Sequence, residues 1–290
     1  MDYIKNYKYD DALRLSFDAL AQETFGISFE KWYQSGCWTD AYVPYSVISN
    51  GKVVANASAN RMHLVIEGQR VDAIQIGTVM TDPLYRRRGL AQNLIQDIIS
   101  DYEKDVDFFY LAADEDAKSL YQKCGFSEIE EVKYSWQNPL AKSLEIEPTP
   151  ITLRALLDLK KTSATKGSKL EVVSDEHILA FYYFHGFDDK IYRLKDGTIL
   201  IADVIHEGEG LRLYEVFSQE MNLNQILNIT GAKEIKFDFD VSGLVIGLEK
   251  EIHPQSGWMV RPSPLSVSQR TLEASKGFPR PFSYPKLAQA

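Results

Sequence analysis

The chain has 290 residues, 44% of them hydrophobic and 25% charged, the balance of a soluble globular protein with enough length for two domains of roughly 100–200 residues each. Its formal net charge of −9 argues against DNA or RNA as the main partner, since displacing counterions from nucleic acid needs an excess of clustered Lys and Arg, and it suits cationic, amine-bearing ligands. Apolar runs such as Ile199–Ala202 and Val241–Leu248 fall far short of the ~20 residues that span a bilayer, and Met1-Asp2-Tyr3-Ile4-Lys5 carries no secretory pattern, so the expectation is a cytoplasmic protein with no membrane partner.

Taken in order, Asp10–Gln22 places Ala12, Leu13, Leu15, Phe17, Leu20 and Ala21 as a helix with one buried face, and Ser28–Gln34 reads as a short second helix. Val43–Ser49 and Lys52–Ala59 are β-rich runs joined by Asn50-Gly51, a dipeptide suited to the two positive φ angles of a tight hairpin. Arg61–Ile66 and Val71–Val79, turned by Glu67-Gly68-Gln69-Arg70, complete a four-strand antiparallel meander. After the breaker Asp82-Pro83 come a helix from Leu90 to Tyr102 with Leu94, Ile95, Ile98 and Ile99 on one side, a strand at Phe108–Ala112, and a helix at Asp116–Cys124 closed by Gly125.

Asn138–Pro150, with three prolines and several charges, reads as a linker. A second cycle follows in similar order: strands at Ile178–Phe184, Tyr192–Leu194, Ile199–His206 and Leu211–Phe217, a helix at Asn224–Ile229 and a strand at Ile235–Phe239. No residue-level repeat relates the halves. Pro262, Pro264, Pro279, Pro281 and Pro285 exclude a compact helix or central strand from the end of the chain, which is expected to wrap a surface or extend.

The chemistry concentrates in Ile76–Ala91, where a strand runs through Arg86-Arg87-Arg88-Gly89 into a helix. Free N–H groups at a helix N-terminus, with the helix dipole behind them, are a ready site for a pyrophosphate. The small residues Gly89 and Ala91 leave room for phosphate oxygens at the main chain, and the arginines add positive charge. Taken alone, the same residues also suit a solvated basic turn before an ordinary helix.

Arg86-x-x-Gly89-x-Ala91, led in by Val79-Met80-Thr81-Asp82-Pro83-Leu84-Tyr85, resembles the Q/R-x-x-G-x-G/A signature of the GNAT N-acetyltransferases, with Thr81 standing where an apolar residue is usual. Downstream, Ala117-Lys118-Ser119-Leu120-Tyr121-Gln122-Lys123-Cys124-Gly125-Phe126 is similar to the family segment that closes the cofactor site. The resemblance implies an α/β (α+β) GNAT fold, a mixed and mostly antiparallel sheet flanked by helices, followed by a second, degenerate GNAT-like domain. It also implies transfer of acetyl from acetyl-CoA, as cosubstrate, to a primary amine of a small molecule or peptide by direct attack, with no catalytic cysteine.

By that resemblance Val79, Met80 and Thr81 align the pantetheine and acetyl group through the main chain, and Arg86, Arg87, Arg88, Gly89, Leu90 and Ala91 hold the pyrophosphate. Tyr121 matches the tyrosine that protonates the departing thiolate, and packing of its short helix against the core is the plainer alternative. Asp114-Glu115-Asp116 stands where many relatives carry asparagine, so no cofactor contact is assigned there. Asp72, Asp82, Asp114 and Glu115 are positional candidates for a base, as is a chain of waters.

The chain also resembles two-domain GNAT proteins of Firmicutes and, more distantly, the Eis-like aminoglycoside acetyltransferases. The expected division is 1–137, GNAT acetyltransferase domain; 138–150, linker; 151–262, degenerate GNAT-like domain; and 263–290, proline-rich tail. In the second half Ser218-Gln219-Glu220-Met221-Asn222 stands where a phosphate loop would need glycine, so a supporting or substrate-shaping role is expected there. Phe181-Tyr182-Tyr183-Phe184 and Trp258 are candidates for a cleft between halves, with core packing the plainer alternative. Cys37 and Cys124 share no metal-binding spacing, and His177, His185, His206 and His253 are scattered, so no metal site is expected. A sensor that binds acyl-CoA without turnover and a structural scaffold are the competing functional classes, and oligomeric state is left open.

Overall fold

Most of the chain's apolar runs are consumed by two mixed sheets in the computed structural model, which describes residues 1–263 and 282–289. The chain opens with β1 (Asp2–Lys5), α1 (Asp11–Phe25), α2 (Glu30–Gln34), β2 (Tyr42–Ser49), β3 (Lys52–Ile66), β4 (Gln69–Thr81), α3 (Leu90–Tyr102), β5 (Phe108–Ala112), α4 (Lys118–Lys123), β6 (Ser127–Glu128) and β7 (Glu131–Gln137). It continues with β8 (Glu147–Pro148), α5 (Leu153–Thr162), β9 (Leu170–Val173), α6 (Glu176–Tyr182), β10 (Ile191–Arg193), β11 (Ile199–Ile205), β12 (Gly210–Phe217), α7 (Leu223–Ile229), β13 (Glu234–Phe237), β14 (Leu248–His253) and β15 (Trp258–Pro262). The first sheet has the order β1-β2-β3-β4-β5-β15-β6 with β9 added along β3, and the second β14-β7-β13-β12-β11-β10-β8.

Local chemistry starts and stops these elements. The Asp10 carboxylate accepts from the Leu13 amide at 3.1 Å and caps α1, which ends at Gly26 in the left-handed region. Asn50 and Gly51, at φ 51° and 73°, turn β2 into β3 as their sequence demands. The expected break at Asn60-Arg61 is absent: β3 runs unbroken to Ile66, and the meander has three long strands instead of four. Asn60 is tolerated inside the strand because its amide is spent on Met62 Sδ at 3.1 Å and on the His177 ring at 2.9 Å.

Ile178–Phe184 corrects a second expectation, since it is α6 followed by a kinked turn over Tyr183–Phe187, and not a strand. An apolar run with no polar face carries no period to read. The reason lies in the packing: Ile178, Leu179 and Ala180 face three different hydrophobic clusters, so this helix is buried all round.

The sheets exchange strands across the sequence division. β7, within the span 1–137, pairs with β13 and β14 in the second sheet, while β15, from the far end of the chain, inserts between β5 and β6 in the first. Gly257 permits that insertion: at φ 82°, a Cβ there would stand 2.5 Å from the carbonyl oxygen of Ala113. A second tie is a buried ionic cluster in which Lys160 Nζ lies 3.1 Å from Asp175 and 3.3 Å from Glu215, with Lys166 also on Glu215.

Of the tail expected to wrap a surface or extend, the described residues 282–289 bury several side chains. Phe282 and Tyr284 are buried against Trp258, Tyr284 Oη shares a 2.6 Å hydrogen bond with Tyr110 Oη, and the Lys286 amide donates to the Asp238 carbonyl at 2.8 Å. Pro264, Pro279 and Pro281 lie outside the described residues. No helix among the described residues is long and apolar enough to cross a membrane.

Candidate active site

β4 and β5 are parallel but pair only at Ala73–Phe108, Ile74–Phe109 and Gln75–Tyr110, so β4 from Ile76 through Thr81 has no strand partner on that side. On its other side β4 carries a bulge. Gly77 pairs with Ser58 and Met80 with Asn56, which sets Thr78 and Val79 against Ala57 alone. Thr78 sits at φ 49°, a costly conformation for a β-branched residue.

Two contacts hold it there: Asn56 Nδ2 donates to the Thr78 carbonyl at 2.8 Å, and Tyr42 Oη lies 2.6 Å from Thr78 Oγ1. Asn56 is itself fixed by Ser46 Oγ, which donates to Oδ1 at 2.8 Å. The extra residue shifts the alternation of β4, so Val79 joins Ile74 and Ile76 on the α3 side while Met80 packs on the opposite side with Phe17 and Trp38. Of the strand residues expected at the cofactor, Met80 therefore carries its side chain away from the α3 side.

The basic loop is a braced structure. Asp82 Oδ1 accepts from the Leu84 amide at 2.8 Å, Tyr85 Oη donates to Ser49 Oγ at 3.1 Å, Arg86 Nε donates to the Thr81 carbonyl at 3.1 Å, and Arg88 Nη2 to the Leu84 carbonyl at 2.9 Å. Arg87 and Gly89 take φ 62° and 76°, turning the chain so that α3 starts without a capping side chain. Its first-turn N–H groups are thus open to an anion, with no acidic residue in that turn to oppose one. A Cβ at Gly89 would meet nothing within 4 Å, so glycine is needed there for its backbone conformation. Leu90 is buried in the cluster beneath the loop, whereas Arg86, Arg87 and Arg88 are exposed and Ala91 half-buried.

The second sheet repeats this β–α–β unit in β12, α7 and the parallel strand β13, with the opposite result at the helix start. There Asn222 accepts from the Gln225 amide at 3.2 Å and occupies the place an anion would take.

Tyr121, on α4, lies in the same cluster as Val79, Leu90 and Phe126. Burial, with smaller contributions from Asp114 and Cys124, pushes its phenol up to about 12. Cys124 beside it is buried, which raises its thiol and leaves it a poor nucleophile. Of the candidate bases, Asp72 is held by His63 at 2.5 Å near the far end of β4, Asp82 caps its own turn, and Glu115 pairs with Lys118 at 2.7 Å. Asp114 alone of the four acts electrostatically on Tyr121.

A cavity of about 210 Å³ opens on the other side of the bulge, between α1, α2, β3, β4 and α6. Thr78, Asn60 and His177 lie in its wall, and Trp32 Nε1 donates to the His177 carbonyl at 2.6 Å, tying α2 to α6. Phe181 and Tyr182, expected as cleft residues, line it, while Trp258 does not and packs on Tyr284. Asn56, Asn60 and His177 belong to no motif in the sequence; Asn in the middle of a strand is the one cue that could have raised the first two.

Residues 2–129 match the family model for an acetyltransferase (GNAT) domain. No curated protein sequence matches the chain. Among solved structures, Eis1 of Mycobacterium abscessus is similar at TM-score 0.60 with 12% identity, covering 91% of this chain and 74% of its own. A conserved protein of Enterococcus faecalis V583 is similar at TM-score 0.59 with 14% identity (91% and 73%), and a GCN5-related N-acetyltransferase of Kribbella flavida at TM-score 0.56 with 16% identity (90% and 71%). Acetyl-CoA is the cosubstrate of this family. With a two-sheet fold shared over nine-tenths of the chain and the family's own model matched over the part that carries the open helix terminus, residues 2–129 are a domain of the GNAT acetyltransferase family.

Proposed function

We propose that the chain is an N-acetyltransferase that moves acetyl from acetyl-CoA to a primary amine of a small molecule or peptide. The observation that carries this is the alignment along one strand of an uncapped helix N-terminus, a partnerless edge of β4 and a buried, protonated Tyr121.

In this reading the backbone N–H groups from Gly89 to Ala91 hold the pyrophosphate, with Arg86, Arg87 and Arg88 screening its charge. The unpaired edge of β4 at Val79 and Thr81 takes the pantetheine as an added strand and orients the acetyl carbonyl. The bulge at Thr78 turns the following peptide out of the ladder with β3, where it can polarise that carbonyl. A C–N bond forms as the C–S bond breaks; the amine's proton leaves through water, Tyr121 supplies one to the departing sulfur, and solvent returns a proton to the phenol after the thiol leaves. The phenol, pushed further up by burial, is protonated at neutral pH, the form that can donate. α6 of the second half closes the acceptor side with Phe181 and Tyr182, a substrate-shaping role for residues 151–262.

Release of free thiol from acetyl-CoA across a panel of amines tests the proposal. Acceptor-dependent release supports it. Silence with every amine, while CoA still raises the melting temperature, would replace it with a sensor that binds acyl-CoA without turnover.

A further inference from the structure

The cavity beside Thr78 has a composition that selects among amines. Its rings are close: Phe29 and Phe181 stand 5.0 Å apart by centroid and tilted, while Trp32 meets Phe181 at 6.0 Å and Tyr42 at 5.3 Å edge to face. Phe25, 43% exposed, carries the apolar lining out to the rim. Among the described residues of the lining none is Asp, Glu, Lys or Arg.

Most of the polar groups in the lining already have partners. Tyr42 Oη and Thr78 Oγ1 are 2.6 Å apart, His177 Nε2 and Asn60 Oδ1 2.9 Å, and Tyr182 Oη donates to the Gln289 carbonyl at 3.0 Å. Burial, only partly opposed by Glu176, keeps His177 neutral at physiological pH. A ligand therefore meets ring faces and aliphatic surface, and little that could replace the hydration of several charges.

Resting on the acetyltransfer reading, we propose that the acceptor is an amine carried on a single flat apolar body, of the arylalkylamine class. The apolar body fills the cavity between Phe29, Trp32 and Phe181, and the amine lies at the Thr78 end, against the bulge. A cavity of about 210 Å³ admits one ring with a short arm, since a dry cavity of roughly 150 Å³ holds benzene. A linear polyamine fits by length but brings charges that the described lining does not match. An aminoglycoside exceeds the space and has the same mismatch.

The test compares 2-phenylethylamine, spermidine and kanamycin with the full chain, by thiol release and, separately, by calorimetric binding in the presence of CoA. The expected result is a kcat/KM for 2-phenylethylamine at least tenfold above either polycation, and tenfold weaker binding of it in Phe181→Glu. Preference for spermidine or kanamycin in either measurement overturns the proposal while leaving acetyltransfer standing. Thiol release from none of the three, with 2-phenylethylamine still bound most tightly, overturns the acetyltransfer reading and supports the ring-binding cavity. Should Phe181→Glu fail to fold, Phe25→Glu at the exposed rim serves in its place, with the same tenfold weakening expected and an unchanged affinity overturning the proposal.

Discussion

The side-chain amide of Asn56 donates a 2.8 Å hydrogen bond to the carbonyl of Thr78, and this contact holds a β-branched residue at φ 49° in the middle of a strand. Asn56 is fully buried, so Asn56→Ala leaves the Thr78 carbonyl without that partner and costs about 1–3 kcal/mol of stability. With the bulge free to relax, kcat is expected to fall at least ~10-fold. CoA affinity should change little, because the pyrophosphate loop is braced by other contacts. Steady-state kinetics with CoA titration checks this, and an unchanged kcat counts against a catalytic role for the bulge.

Gly89→Glu sets a carboxylate at the open end of α3 and forces a side chain into φ 76°, at a cost of about 1–2 kcal/mol. The apo protein should therefore melt only slightly lower, while the stabilisation by CoA disappears. A thermal shift series with and without CoA reads both effects. Retained stabilisation by CoA would place the pyrophosphate elsewhere.

Tyr121→Phe removes a hydroxyl that has no hydrogen-bond partner among the described residues. Stability should hold to within about 0.5 kcal/mol, while kcat falls by roughly 10²-fold if the phenol supplies the proton. Full turnover in this variant would reduce Tyr121 to packing.

The exchanged strands predict that residues 1–150 expressed alone do not fold. β6 pairs only with β15 among the described strands, and without β15 the strand β5 becomes a bare edge carrying Phe108, Phe109 and Tyr110. Co-expression with residues 151–290 should restore a soluble complex. A well-dispersed NMR spectrum from the short fragment would show instead that the first sheet closes without β15.

His177 carries a pH signature. Burial foremost, and His63 to a lesser extent, lower its pKa from 6.5 to about 4, against an opposing effect of Glu176. Between those values the unfolded chain binds a proton that the folded chain refuses. The contribution is complete above pH 6.5 and is lost as pH falls toward 4, on the order of 3 kcal/mol in all. His177→Gln, which can still donate to Asn60, should flatten this part of the denaturation profile. An equally steep profile in the variant would assign the acid sensitivity to carboxylates.

Local sequence determined the parts of this protein whose chemistry is contained in a few consecutive residues. Asn50-Gly51 dictates its hairpin by φ alone, Arg86–Ala91 dictates an open helix start because Gly89 cannot cap it, and Leu94, Ile95, Ile98 and Ile99 repeat at the helical period. Asn222 ahead of α7 likewise closes the second helix start with its own side chain.

Tertiary structure alone decided the rest, since those features depend on residues far apart in the chain. Ile178–Phe184 is a helix because three clusters surround it, which an unbroken apolar run cannot announce. The placement of β7 and β15 follows from which edge is vacant in which sheet, a property no single strand carries. The cavity beside the bulge joins Thr78 to Phe181 and His177 across about a hundred residues of sequence, held by the hydrogen bonds that Trp32 donates to the His177 carbonyl and the His177 ring donates to Asn60, and side chains so distant leave no spacing to be read.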